Sequence, residues 1–353
     1  MFLFSNERST AHRAILEGKN HAAGFWGMVG MDAYDIDATF LELEHFFSKR
    51  VADFLRRHIN VYFIHVLLFP WIVQYDIVYT SAAFGTQFIH ILYPFRKPLW
   101  VMHDFSIASL IGERATLKQK LFRFMTARAG GIVTIGSEEA TRLRTMFPHL
   151  ADNIAFIPYG ADLEFFKPSA TIEKKHMVFA VGRDPDRDWR LLVGVAPALR
   201  ANVVIATRER RIAHLRPLPP NVLTNDFSVE DLILHYQEAK VFVLPLNTST
   251  GLNDAMGVSA LYEALSLGKA IVATNTHTMR SYIQDGENGL LVPEHDANAL
   301  RDALRRVLAD DALRLRLEHA ARKYAEEHLE LTKQTGVLAT YFKNIAAGAT
   351  KRS

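Results

Sequence analysis

Short apolar runs recur along the chain, each followed by a longer polar stretch with helical periodicity. In the first half, Phe2 to Phe4, Asp76 to Tyr79, Leu99 to Met102, Gly131 to Ile135 and Ile154 to Ile157 read as strands, and the moderately alternating run Ile36 to Leu43 adds another. Met177 to Val181, Val203 to Ala206, Val241 to Leu244 and Ala270 to Ala273 repeat the pattern in the second half. Runs of this length bounded by turn residues predict strands, and the periodic stretches between them predict helices. Helices are expected over 44–58, over 116–129, and from Gly136 onward with Ser137 as N-cap. More follow at 232–239 behind a Ser228–Asp231 capping box, at 297–308 capped by Asp296, and at about 312–328 and 333–347. A C-terminal Gly268-Lys269 stop marks the apolar run Val258 to Leu267 as a helix too. The most apolar window, Val61 to Val73, falls short of the ~20 residues that span a bilayer and predicts two core segments divided at Pro70. Strands alternating with helices in both halves predict an α/β protein of two domains, residues 1–170 and 171–332, joined by a linker within 168–175.

Composition narrows the class. The chain has 353 residues, 49% of them hydrophobic and 22% charged, which suits two packed cores. The net charge of +3 fits an anionic small substrate or an anionic membrane surface as well as a plainly solvated exterior. No nucleic-acid partner is expected. Cysteine is absent, so disulfides, thiolate metal sites and a cysteine nucleophile are excluded. That agrees with a reducing cytoplasm, and MFLFSNERST lacks the pattern of a signal peptide. Residues 116–129 form a basic amphipathic stretch with Leu117, Leu121, Phe124 and Met125 on one side. A helix packed on the core is the ordinary account, and peripheral membrane contact through this half is the other.

Candidate chemistry concentrates in Thr250 to Pro293. A loop with Gly251 and Gly257 leads into the helix that carries Glu263. A loop feeding a helix presents unpaired backbone N–H groups and a positive dipole end, which suits a phosphate. Glu263, about two turns in, can accept hydrogen bonds from sugar hydroxyls. The alternative is a surface loop before a core helix with one solvated Glu. Two arginines, Arg183 and Arg187, follow the strand at Met177 to Val181 just after Gly182, where guanidinium groups suit a diphosphate. The alternative there is surface pairing with Asp184, Asp186 and Asp188. His103 stands just past the Leu99 to Met102 strand, at the edge where open α/β sheets bind ligands. Arg8, His12 and Lys19 follow the first strand, and a polar loop is the favoured reading for them. Gly24 to Gly30 has a glycine at every third position, either lining an acceptor or forming a tight packing turn.

The run Glu263-Ala-Leu-x-x-Gly268-Lys269-x-Ile271-Val-x-Thr274, with the later Asp285-Gly-x-Asn288-Gly-Leu-Leu-Val-Pro293, resembles the donor-binding signature of retaining glycosyltransferases of the GT-B fold, family 4. Pro158 to Asp162 and Phe165 to Pro168 resemble the end of that family's first domain. The resemblance implies two Rossmann-like domains facing a cleft, with the terminal helix, about 333–347, crossing back to the N-terminal domain. It implies an acceptor domain at 1–170 and a nucleotide-sugar donor domain at 171–332. By it, Gly182, Arg183 and Arg187 hold the donor diphosphate with the backbone at Met256, Gly257, Val258 and Ser259. Glu263 holds the ribose, and His103 faces the sugar. The family usually carries a second acid seven residues before Glu263; that position is Ala255, with Asp254 beside it. The implied activity is retaining transfer from a nucleotide-diphospho sugar to a glycan, lipid-linked or small-molecule acceptor, in the cytoplasm or at the inner face of the membrane, with no metal or other cofactor. The departure at Ala255 leaves two rivals, a binding protein without transferase activity and a sugar-nucleotide epimerase of the same fold.

Overall fold

The structure, a computed structural model, describes residues 1–81, 83–92, 98–104, 107–112, 116–249 and 255–352, the side chains of 350–352 excepted. The chain divides into two compact units, Met1–Gly160 with Leu331 onward, and Ala161–Glu330. The division after Gly160 lies ahead of the 168–175 linker expected from sequence. Pro158 to Phe166 is instead held locally, with the Ala161 N–H bonded to the Leu329 carbonyl at 2.6 Å and the Phe165 N–H to Asp162 at 3.0 Å.

The first unit is a parallel sheet of β1 (Phe2–Leu3), β2 (Phe40–Leu41), β3 (Ile77–Thr80), β4 (Leu99–Asp104), β5 (Gly131–Thr134) and β6 (Ile154–Phe156). Its order is β2-β1-β3-β4-β5-β6. The helices are α1 (Ser9–Leu16), α2 (Lys49–His58), α3 (Phe69–Ile72), α4 (Phe84–Leu92), α5 (Ile107–Ile111), α6 (Leu117–Thr126) and α7 (Ser137–Met146). Strand side chains alternate between faces. Leu3, Val78, Trp100, Met102 and Ile132 point to one face and pack against α2, α4, α5, α6 and α7. Phe2 and Tyr79 point to the other, where Phe342 lies with ring centres 6.2 and 5.3 Å away.

In the second unit β7 (Lys175–Val181), β8 (Asn202–Ala206), β9 (Val222–Asn225), β10 (Ala239–Leu244), β11 (Ile271–Thr274) and β12 (Leu290–Val292) form another parallel sheet, ordered β12-β11-β10-β7-β8-β9. Its helices are α8 (Trp189–Val195), α9 (Glu209–Ile212), α10 (Val229–Glu238), α11 (Val258–Ser266), α12 (Ala297–Ala309) and α13 (Asp311–His328). Then α14 (Leu331–Arg352) returns to the first unit, as the resemblance implied, and carries Phe342. Both units are doubly wound α/β folds, and the second has the dinucleotide-fold order with its chain reversal between β7 and β10.

Several local expectations change. The strand over Ile36 to Leu43 contracts to Phe40–Leu41, because Glu42 leaves the ladder: its carboxylate accepts the N–H groups of Arg8 and Ser9 at 2.6 and 3.3 Å, capping α1. The 44–58 helix begins only at Lys49. The apolar window does form two segments, a 3-10 helix over Ile64–Leu68 and then α3, which meet one residue before Pro70. Pro70 sits in the first turn of α3, where a missing N–H breaks no helical bond. Gly136, rather than Ser137, occupies the cap position of α7. On α6 the inward side chains are Phe122, Met125 and Thr126, while Leu117, Leu121 and Phe124 face outward. The glycine run proves to be a tight packing turn: Trp26 has φ 53°, Gly27 φ 84° and Gly30 φ 97°. A Cβ on Gly27 would meet Thr335 of α14 at 3.3 Å.

Candidate active site

In a doubly wound sheet, strands on either side of the reversal send their crossovers to opposite faces, and a crevice opens beyond their carboxyl ends. In the second unit that place is bounded by Gly182 after β7 and Leu246 after β10. The two strand extensions are tied together. The Asp188 N–H donates to the Pro245 carbonyl at 3.0 Å, and the Asn247 N–H to the Asp186 carbonyl at 2.9 Å. This holds the short loop between Gly182 and Asp188 against β10 and turns Arg187 inward.

Arg187 is 7% exposed. Its Nε donates to the Val181 carbonyl at 3.0 Å, and one terminal nitrogen pairs with Asp184 at 3.4 Å. The other, Nη1, is buried and has no hydrogen-bond acceptor among the described residues. Two glycines make room for the guanidinium. A Cβ on Gly182 would fall 2.1 Å from Nε, and one on Gly257 would fall 3.0 Å from Nη1. Gly257, at φ 83°, is the N-cap of α11, so the unsatisfied N–H lies at the positive end of that helix. Burial lowers the Arg187 pKa, partly offset by Asp184 and Glu263. A buried guanidinium N–H beside a helix N-terminus is an arrangement made for an anion.

Glu263 lies about one and a half turns into α11 rather than two. Its Oε2 accepts a 2.9 Å hydrogen bond from the Tyr236 hydroxyl, which also donates to the Ala260 carbonyl at 3.2 Å. Glu263 is half-buried, and the surrounding protein withdraws it from water. That desolvation raises its pKa to about 7 against the pull of Tyr236 and Arg187. Tyr236 is the functional residue missed from sequence. It comes from α10, and nothing in the pattern pairs it with an acid on another helix.

The structure thus brings Gly182, Arg187, Gly257 and Glu263 together. Met256 and Val258 flank Gly257 with buried side chains, and Ser259 is exposed on the first turn of α11. Arg183 is set apart from this group. It is exposed and bonds Asp226 through two nitrogens at 2.6 and 3.1 Å, while Arg211 donates to its carbonyl at 3.0 Å. Asp254 lies outside the described residues. Asp188 caps α8 by accepting the Leu191 N–H at 2.9 Å, and its other oxygen meets His295 Nδ1 at 3.1 Å. In the first unit, His103 is part of β4 rather than past its end and is buried. Its ring stacks on Trp26 at 4.5 Å and 6°, and its Nδ1 meets the Tyr79 hydroxyl. Burial lowers its pKa to about 3, which keeps the imidazole neutral. Arg8 lies over the Phe4 ring at 4.7 Å.

The geometry makes a direct prediction. Gly182→Ala has an ordinary φ but no space for its methyl group, so Arg187 must vacate. The variant is expected to fold and to bind nucleoside diphosphates at least tenfold more weakly. Isothermal titration reads this, and unchanged affinity would show that Arg187 takes no part in binding.

Two doubly wound parallel sheets of six strands each are the architecture of the GT-B class. Residues 164–324, most of the second unit, match the family model described as glycosyl transferases group 1. D-inositol 3-phosphate glycosyltransferase of Corynebacterium diphtheriae is 28% identical over 228 residues, 53% of this chain and 50% of that protein. The protein of the same name from Corynebacterium urealyticum is 34% identical over 119 residues, 34% of this chain and 24% of that one. The chain therefore spans about half, or less, of the length of these curated relatives. Among solved structures, Anabaena Alr3699/HepE in complex with UDP-glucose superimposes with a TM-score of 0.70 at 14% identity, covering 97% of this chain and 98% of that one. Sucrose-phosphate synthase of Thermosynechococcus elongatus gives 0.65 at 20%, covering 78% and 75%. At such identities the likeness establishes the GT-B fold.

Proposed function

We propose that the chain is a retaining glycosyltransferase using a nucleotide-diphospho sugar. The observation that carries this reading is the buried, unsatisfied Nη1 of Arg187 at the N-terminus of α11. The diphosphate of the donor would supply the missing acceptor, and the helix end would share its charge. These groups act most strongly as negative charge grows on the departing diphosphate, which is electrostatic stabilisation of the transition state. Glu263 would accept hydrogen bonds from the ribose, oriented by Tyr236. In transfer with retention, the bond from the anomeric carbon to the diphosphate oxygen breaks, and the acceptor oxygen bonds to the same face. The acceptor proton passes to the leaving diphosphate. Arg183 would join only by exchanging its bond to Asp226. Neutral His103 is limited to donating or accepting a hydrogen bond, toward the sugar in this reading.

A uridine donor is favoured because a neighbour that covers 97% of this chain is described in complex with UDP-glucose. The acceptor is a glycan, a lipid-linked intermediate or a small molecule, and the reaction uses no resident metal. Thermal stabilisation by UDP, GDP, ADP, TDP and CMP tests the donor site, since a ligand of the folded state alone raises the melting temperature. One diphosphate is expected to give a clear shift that persists in EDTA. No shift with any of them would remove the donor assignment. Nucleotide release that depends on an acceptor would separate a transferase from an epimerase, which converts donor alone, and from a binding protein, which releases nothing.

A further inference from the structure

A helix lying on a sheet needs one apolar stripe, the one that faces the sheet. Helix α6 carries two. The inward stripe is Phe122, Met125 and Thr126, all buried. The second is Leu117, Leu121 and Phe124, which are 84%, 37% and 38% exposed. By the helical repeat these three share a sector roughly 60° wide, pointing away from the core. The fold does not require them. The segment itself is basic: Lys118, Lys120, Arg123 and Arg128 lie on it, and no acid occurs between Glu113 and Glu138. The Arg128 guanidinium lies 3.7 Å from the centre of the Phe124 ring, so cation and apolar side chain form one surface. Further large apolar side chains are exposed elsewhere in this unit. Phe54 of α2, Phe63 and Trp71 are 58%, 52% and 43% exposed. They belong to the layer of helices on the same sheet face, where the Tyr62 ring packs on Phe122 of α6 at 5.4 Å.

We infer that this face of the first unit docks on an anionic lipid surface, with Leu117, Leu121 and Phe124 entering the headgroup boundary and the basic residues paired with lipid phosphates. Charge complementarity selects the occupant. An interface with another protein surface of mixed charge gains nothing from a segment without a single acid. A bilayer offers anionic groups above an apolar interior, which matches cations flanking a narrow apolar ridge. The inference stands apart from the donor site and does not depend on it.

Co-sedimentation of the full chain with phosphatidylcholine vesicles, with and without phosphatidylglycerol, tests it. Binding is expected only with the anionic lipid and is expected to weaken steeply with salt. The triple variant Leu117→Ser, Leu121→Ser, Phe124→Ser touches no buried side chain and should melt as the wild type does. Its vesicle affinity should fall by at least about tenfold. Lys118→Glu with Lys120→Glu, which leaves the apolar stripe intact, should lose binding by a similar factor. Absence of binding to anionic vesicles at low salt would overturn the proposal. So would equal binding to neutral vesicles, or wild-type binding by both variants. A dimer in solution that the triple variant dissolves, with no vesicle binding, would also overturn it and assign the ridge to a second copy of the chain.

Discussion

Arg187→Ala is expected to lower transfer from a nucleotide sugar by roughly 10²- to 10³-fold, the loss seen when one preorganised donor to a developing anion is removed. It is expected to do so without unfolding the protein. The guanidinium is buried, one of its nitrogens has no acceptor among the described residues, and it pairs with Asp184 only at 3.4 Å among them. A buried N–H left unsatisfied costs about 1–3 kcal/mol. Removing it offsets much of the packing lost with the side chain. The ligand-free melting temperature should therefore hold or rise while nucleotide stabilisation disappears. Arg187→Lys should recover little, because an ammonium cannot reproduce the bond from Nε to the Val181 carbonyl that aims the side chain. Melting curves with and without nucleotide, together with kcat/KM, check both parts. Activity within threefold of wild type would move the anion site elsewhere, with Arg183 the first alternative.

Glu263→Gln should separate stability from binding through pH. The carboxyl titrates near 7 in the folded protein against a reference of 4.5, chiefly through desolvation. Between those values the folded state holds a proton that the unfolded chain has released. Stability therefore falls as pH rises through this window, and the full penalty, on the order of 3 kcal/mol, is present above pH 7. Glutamine carries no such penalty. At pH 8 the variant should be more stable than wild type by about 1–2 kcal/mol, less than the whole, because Arg187 loses a neighbouring anion. At pH 5 most of this difference should be gone, because the folded carboxyl is still protonated. Nucleotide affinity should change in the opposite sense. In wild type it weakens as pH drops below 7 and the carboxylate protonates, while the variant binds weakly at every pH. Urea unfolding and calorimetry at pH 5 and 8 read the two effects. A variant less stable than wild type at pH 8 would contradict the desolvation argument.

Part of this arrangement can be read from the sequence. Gly257 before an apolar run and Gly268 after it bound α11, because capping is local chemistry. Arg187 was placed by its position after a strand, and Glu263 by its signature. The rest depends on residues far apart in sequence. Arg183 and Arg187 are equal as guanidinium groups, yet Asp226 engages one and the tie between Asp188 and Pro245 buries the other. Tyr236 reaches Glu263 only because α10 and α11 lie side by side on the sheet. The alternating run before Glu42 read as a strand because periodicity does not register that its last acid is taken up by the start of α1. Leu117, Leu121 and Phe124 have helical spacing whichever way the helix faces, and only packing assigns their stripe to the outside. His103 was placed one residue too close to solvent, because β4 runs on through Asp104.

The order in which the chain leaves the ribosome gives α14 a further consequence. Ala161–Glu330 is an insertion within the first unit, whose sheet is synthesised early and whose Phe342 arrives last. Phe2 and Tyr79, the rings that Phe342 covers, must wait through the synthesis of a whole intervening domain. For that interval Phe2 and Tyr79 lack the ring that packs on them in the finished fold. The inserted unit has its sheet and core complete by then, so the half that holds Arg187 and Glu263 can reach its native structure first.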